Sequence, residues 1–290
     1  MEKEPNFLLE YTIDSLLKTF NPDRKPIMKQ SHFYKLMNLL DTRLKDQGID
    51  IKLPGYWYRY GFYSEYRFFD TVLSRKFSTD YILNGDIVPP IRTRKKFEIP
   101  TEILQTISST IYYLWNQYGF KSNYGAEAKK ESYRINSPYT FNTTFQDYID
   151  IIDSKEVNLF VYEKILDKLL LEFPDDEISE LSDTYFDWDD TTRLILDHEI
   201  NETQIQLIEI LMNLFWKIYS KGVRWRHNQN IPIDDIQKWE QNYLYSIPIA
   251  NKQIEEIRRS ALLEYYQPSG KDGELVKELM KKAYEMSMGV

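Results

Sequence analysis

Arg193 and His198 stand at a spacing that could cleave RNA, with four residues between them. An imidazole titrates near neutrality and can carry a proton to or from a ribose oxygen. A guanidinium can hold the scissile phosphate through paired N–H donors. A metal-independent ribonuclease needs little more than these two groups facing one cleft. The carboxylates Asp187, Asp189, Asp190 and Glu199 form a second cluster that could hold a hard cation. An EF-hand loop is excluded, because a central Gly is missing and His198 occupies the twelfth position counted from Asp187. Glu127-Ala128-Lys129 has the tripeptide pattern of metal-dependent nucleases. It stands in a polar stretch beside Gly125 without a strand before it, so the sequence assigns it no such role.

The densest concentration of contact-forming residues lies elsewhere. Tyr56, Trp57, Tyr58, Tyr60, Phe62 and Tyr63 follow one another closely, and Tyr66, Phe68 and Phe69 continue the run. Aromatic side chains bury large areas at small rotamer cost, so such a run makes either a protein-binding platform or a compact aromatic core. Alternation predicts a β-hairpin in which Tyr56, Tyr58 and Tyr60 share one face and Trp57 takes the other. One set is expected to pack on the helix of Phe33, Leu36 and Leu40. The other is expected to stay open to a partner.

Two resemblances attach to these residues. Lys35-Leu36-Met37-Asn38-Leu39-Leu40, Gly48 and Tyr58-Arg59-Tyr60-Gly61-Phe62-Tyr63-Ser64 together resemble the start of a Panacea-type antitoxin domain. The likeness spans residues 28–75, and Phe62 stands where that family usually has Pro. It implies a helical binding module encoded beside a toxin, with a toxin or defence effector as protein partner and no catalytic residues. Arg193 and His198 are similar in spacing to the Arg–His motif of HEPN-type ribonucleases, which are helical and commonly dimeric.

Composition narrows the field. Among 290 residues there are 10 Gly and no Cys. Thiolate catalysis, disulfides and Cys-bound zinc are excluded, and a Gly-rich nucleotide-binding fold is disfavoured. Three scattered His offer no multi-His metal centre, so neither metal nor cofactor is expected. A formal charge of −8 does not favour nucleic acid. Two basic clusters run against that balance: Arg92, Arg94, Lys95 and Lys96, and Lys217, Lys221, Arg224 and Arg226. The first residues lack the pattern of a signal peptide, and the apolar run Leu207 to Trp216 is broken by Glu209 and Asn213. The sequence therefore predicts a cytoplasmic protein without a membrane span. No P-loop, dinucleotide fingerprint, Gly-x-Ser-x-Gly or His-Glu-x-x-His motif is present.

Helical periodicity dominates. It predicts a mainly α fold with a small β-hairpin near residues 49–60. Helices are expected over 7–20, 31–47, 64–76, 101–118, 155–172, 202–219, 234–246 and 250–266. Residues 120–146, polar and rich in Tyr and Asn, read as a long irregular crossing. The linear division is an N-terminal module over 1–83, a connector over 84–100 and a helical domain over 101–267. A hinge at 268–273 and a last helix over 274–290 follow. The function expected is a non-catalytic, antitoxin-like interaction module, with the Arg193–His198 ribonuclease as the alternative.

Overall fold

The computed structural model describes residues 5–22, 28–59, 61–90, 98–119, 124–154, 158–197 and 202–265. The fold is mainly α, with two small antiparallel sheets of three strands each among those residues. The chain forms two compact units. One comprises 1–146 with 217–244, and the other 147–216 with 245–290.

The first unit is built around α2 (Gln30–Lys45). Phe33, Leu36, Met37, Leu39, Leu40 and Leu44 are all fully buried or nearly so. These positions form one broad apolar face, and the buried Tyr34, Lys35, Asn38 and Asp41 occupy the rest of the circumference, so the helix is enclosed on all sides. α1 (Phe7–Phe20) begins at Asn6, whose side chain accepts from the Leu9 amide at 3.0 Å. That cap satisfies one of the free donors of the first turn. α5 (Thr101–Leu114) packs against both α1 and α2. A five-residue π-helical turn, Trp115–Gly119, continues it. α6 (Tyr124–Asn136) then returns to α2.

The strands that follow α2 are short. β2 (Gly55–Tyr58) pairs with β3 (Gly61–Tyr63) on one edge and with β6 (Asn228–Gln229) on the other. The register sets Tyr56 opposite Tyr63, Trp57 opposite Phe62 and Tyr58 opposite Gly61. Short helices α3 (Tyr66–Asp70) and α4 (Phe77–Asp80) come next. The second sheet joins β1 (Met28–Lys29), β5 (Asp86–Ile87) and β4 (Ile82–Leu83) in that order. Its tight turn is Asn84-Gly85, with φ of 53° and 83°. Both values are left-handed, which an Asn-Gly pair supplies at low cost.

The second unit contains α8 (Leu159–Glu172) and α9 (Ser182–Leu196), with a single 3-10 turn, Ser179–Leu181, between them. The Phe173 and Tyr185 rings lie parallel with centroids 4.1 Å apart, and Trp188 stacks on Phe215 at 4.9 Å. Arg258 ties α11 (Ile233–Tyr265) to α9, donating to Thr191 Oγ1 at 2.9 Å and Asp187 Oδ1 at 3.1 Å. α7 (Thr140–Ser154), α10 (Glu202–Arg226) and α11 each have residues in both units.

The structure departs from the sequence expectations at definite places. Residues 124–136 and 140–154 are helices rather than an irregular crossing. Their inward positions include Ser132, Asn142 and Thr144, all buried, and polar residues at inward positions obscure apolar periodicity. The hairpin is formed by 55–58 and 61–63 rather than 49–60, and 49–53 carries no strand, with Lys52 at a φ of 53°. The helix expected over 64–76 is the five-residue α3 followed by turns. The two helices expected after 234 are one helix of 33 residues containing Pro248. Residues 101–146 belong with the first unit instead of a separate C-terminal domain, because α5 and α6 cover α2. The expected hinge at 268–273 and the last helix lie outside the described residues, as does the basic cluster of the connector, Arg92, Arg94, Lys95 and Lys96. No helix among the described residues is long and apolar enough to cross a membrane.

The close packing of β2 on its neighbour is testable. A Cβ at Gly55 would overlap the Phe62 ring, whereas one at Gly48 (φ 79°) meets nothing within 4 Å. Gly55→Ala is expected to lower stability by about 1–3 kcal/mol through overpacking. Gly48→Ala should cost about 1–2 kcal/mol, from its left-handed backbone alone. Urea denaturation of the two variants in parallel checks the mechanism. Only Gly55→Ala should be rescued by shortening Phe62 to Leu.

Candidate functional site

The hairpin is locked from α2. Lys35 is buried, and its ammonium donates to the Phe62 carbonyl at 2.9 Å. Gly61 has φ of 90°, and a Cβ there would stand 2.8 Å from Lys35 Nζ and 2.9 Å from the Tyr133 ring. Glycine is thus required twice, for the backbone angle and for the space. One turn further along α2, Asn38 Oδ1 accepts from Ser132 Oγ at 2.9 Å and from Asn136 Nδ2 at 2.7 Å. Thr42 donates to Asn136 Oδ1 at 2.9 Å. Asp41 Oδ2 then accepts from Lys45 Nζ at 2.7 Å and Gln229 Nε2 at 3.2 Å. Lys35, Asn38 and Asp41 form a polar stripe along a helix otherwise sheathed in Leu, Met and Phe. It fastens the hairpin, α6 and β6 in turn.

Both faces of the hairpin are covered. Tyr56, Trp57 and Phe62 are buried, with 3%, 6% and 4% of their surface accessible. Trp57 meets Tyr133 edge-on at 5.2 Å. On the opposite face, Tyr56 packs on Trp239 at 4.7 Å and beside Tyr58 at 6.5 Å. Arg224 lies over these rings, 3.7 Å from the Trp239 centroid and 4.3 Å from that of Tyr56. Glu65 completes the arrangement, accepting from Tyr56 at 3.0 Å and pairing with Arg224 at 3.3 Å and Arg67 at 2.7 Å. Burial pushes the Tyr56 hydroxyl well above the ordinary phenol range and pulls the Arg224 guanidinium down. Tyr56 and Tyr58 do share one face and Trp57 takes the other. The expectation of an open face is corrected: Arg224 and Trp239 close the one and Tyr133 the other. What remains accessible is the rim. Tyr63 is 38% exposed and Tyr66 51%, while Tyr58 is half-buried. Tyr60 lies outside the described residues.

A polar cleft of about 310 Å³ opens beside the hairpin. Its lining includes Asn38, Asp41 and Lys45 of α2, Trp57 and Phe62 of the hairpin, Arg226 at the end of α10 and His227 just after it. Its most unusual group is Asp41. The side chain is 3% exposed, and its Oδ1 has no hydrogen-bond partner. Burial raises the Asp41 carboxyl above its ordinary value of 3.8, partly offset by Lys45. Nothing in the local sequence marks this cleft as a site beyond a run of polar residues at 35, 38, 41, 42 and 45, at helical spacing, inside a helix with apolar residues on its other sides.

The remaining candidates fare differently. Arg193 is held between two carboxylates, Nε to Asp189 at 2.8 Å and Nη1 to Asp167 at 2.9 Å. Burial alone would lower its pKa, but these two partners raise it overall. His198 and Glu199 lie outside the described residues. The carboxylates Asp187, Asp189 and Asp190 do not lie on a loop. They belong to α9, where Asp189 is buried against Arg193, Asp187 faces Arg258, and Asp190 is exposed. Glu127 sits on α6, half-buried. Of the second basic cluster, Arg224 is boxed by aromatic rings, and Lys221 donates to Asn242 at 3.0 Å. Among the described residues no group of three or more His, Asp and Glu is placed to hold a metal ion. Compared with family models, curated proteins and solved structures, the chain matches none.

The raised Asp41 carboxyl gives a pH signature. The folded chain holds that proton more tightly than the unfolded one, so Asp41 contributes less to stability as pH rises from about 4 through the raised value. Asp14 and Asp189 shift the same way, so the signature is the difference between wild type and Asp41→Asn. Denaturation at intervals from pH 4 to pH 7 should show the wild-type advantage over Asp41→Asn shrinking as pH rises. A constant difference would place Asp41 at an ordinary carboxylate value.

Proposed function

We propose that this protein is a non-catalytic interaction module, antitoxin-like, that binds a protein partner through the rim of its aromatic hairpin. The partner class implied by the resemblance is a toxin or a defence-system effector. One observation carries the reading: the hairpin is fixed on both faces, while Tyr63 on β3 and Tyr66 at the start of α3 stay exposed. A side chain mounted on a rigid element loses little further freedom on binding, so an ordered aromatic rim is a low-cost anchor. The Lys35–Phe62 hydrogen bond and the crowded Gly61 support the resemblance. They join the Lys-Leu helix to the Tyr-Gly element, the two stretches on which the likeness to Panacea-type domains rests.

Tyr66→Ala should leave the fold intact, costing less than about 0.5 kcal/mol as an exposed substitution. Tyr63→Ala should cost about 1 kcal/mol, because its ring meets Tyr34 at 5.0 Å and Tyr56 at 5.7 Å. Capture from the native host should recover one protein in near-equal amount with wild type. The double variant should hold that protein roughly tenfold or more less tightly, the loss expected of a hot-spot tyrosine. A partner retained in full by the folded double variant would remove the rim from the account. RNA cleavage by the purified chain, abolished by His198→Ala, would replace the account with the ribonuclease.

A further inference from the structure

We propose that the outer face of α8 binds a second copy of this chain, the two helices lying side by side and antiparallel across a two-fold axis. This goes beyond the partner-binding reading and rests on different residues, all within the second unit. α8 is apolar on two opposite faces. Tyr162, Leu166 and Leu169 form its buried face. Phe160 and Leu171 stand on the other side, 71% and 86% exposed, and Leu159, Val161 and Leu170 are exposed on the same helix. Single apolar residues on a surface are ordinary, but so many on one helix of 14 residues are not. A helix that is apolar on more than one face is normally covered on each. The outer face of α8 lacks such a cover among the described residues.

Spacing and charge select the cover. Phe160, Lys164, Asp167 and Leu171 follow at intervals of four, three and four residues, so they form one seam along the outer face. Lys164 is exposed and has no ion pair among the described residues. Asp167 pairs with Arg193 yet keeps 67% of its side chain exposed. In an antiparallel pair related by a two-fold axis, one seam runs in reverse against the other. Phe160 then faces the partner's Leu171, and Lys164 faces the partner's Asp167. Symmetry makes each contact twice, so apolar pairs close both ends of the seam and two ion pairs fill its middle. A parallel pair would instead set every residue against its own copy, Lys164 on Lys164 and Asp167 on Asp167. Directly opposed like charges are destabilising, so the seam fixes orientation and register as well as partner. It is about 16 Å long, at 1.5 Å per residue. An interface of that size makes a weak dimer. The unit's many other carboxylates repel across such a dimer, and at about 0.15 M salt that repulsion fades beyond about 8 Å.

The experiment is sedimentation velocity of the full chain from about 10 µM to about 500 µM, at about 0.15 M salt. Wild type should pass from monomer to dimer within that range. Phe160→Ser and Leu171→Ser, both at exposed positions, should each weaken the dimer roughly tenfold or more. The charges give the sharper arm. Lys164→Glu alone and Asp167→Lys alone each set like charges across the seam, and each should stay monomeric. An equimolar mixture of the two sets opposite charges at both positions and should form a heterodimer as readily as wild type pairs with itself. Melting curves establish that each variant is folded. If Asp167→Lys does not fold for want of its pair with Arg193, Lys164→Glu and the two apolar variants decide the matter. The double variant Tyr63→Ala and Tyr66→Ala should leave the dimer unchanged, which separates this face from the hairpin rim. A wild-type chain that stays monomeric throughout would overturn the proposal and leave the face to a different protein. So would a dimer indifferent to folded variants at positions 160, 164 and 171, or a mixture of folded charge variants that stays monomeric.

Discussion

Everything in the first unit hangs on the polar stripe of α2. A helix enclosed on all sides gains from burying its Leu, Met and Phe. It loses heavily if any polar group on it goes unpaired. Lys35, Asn38 and Asp41 meet that constraint by reaching outward to three different elements: the hairpin carbonyl of Phe62, Ser132 and Asn136 of α6, and Gln229 of β6. These bonds add little net energy beyond what water would have supplied. Their effect is on specificity. A slipped hairpin or a rotated α6 would strand a charge or an amide in the core, which makes alternative packings costly and the observed one unique. Within the stripe, Asp41 keeps one buried oxygen, Oδ1, without a hydrogen-bond partner.

A second buried ionic cluster does similar work between α1 and the turns after α3. Arg75 faces Glu10 at 3.2 Å, Tyr81 donates to Asp14 at 2.7 Å, and Ser74 donates to Glu10 through both its amide and its hydroxyl. Phe77 and Phe69 stack at 4.6 Å beside it. The first unit therefore joins an aromatic core to two buried polar clusters. The second unit relies more on rings, with Tyr185, Trp188 and Phe215 grouped together and Arg193 and Arg258 neutralised by carboxylates.

The mainly α class could be read from the sequence because α1, α2, α5 and α8 carry strong apolar periodicity and clear stops, such as Gly48 and Phe173-Pro174. The alternation of Tyr56, Trp57 and Tyr58 correctly announced a hairpin and its facing. What covers that hairpin could not be read. Arg224 and Trp239 come from residues more than 150 positions away, and Tyr133 from a helix whose buried Ser132 and neighbouring Asn136 masked its period. Asn84-Gly85 is a strong local turn signal that the surrounding prolines concealed. The cleft was the hardest to foresee. Asp41 and Lys45 look like an ordinary surface i,i+4 pair, and only the fold places Asp41 almost wholly inside.

The placement of the hairpin depends on Lys35. Its removal leaves the Phe62 carbonyl without its donor and opens space beside Gly61. The most direct test is amide hydrogen exchange on Lys35→Met, resolved by residue across the whole chain. Protection is expected to fall selectively along β3, at 61–63, while Trp57, whose amide donates to the His227 carbonyl at 2.9 Å, and α9 keep wild-type rates. Unchanged protection at 61–63, or a uniform loss across both units, would contradict this.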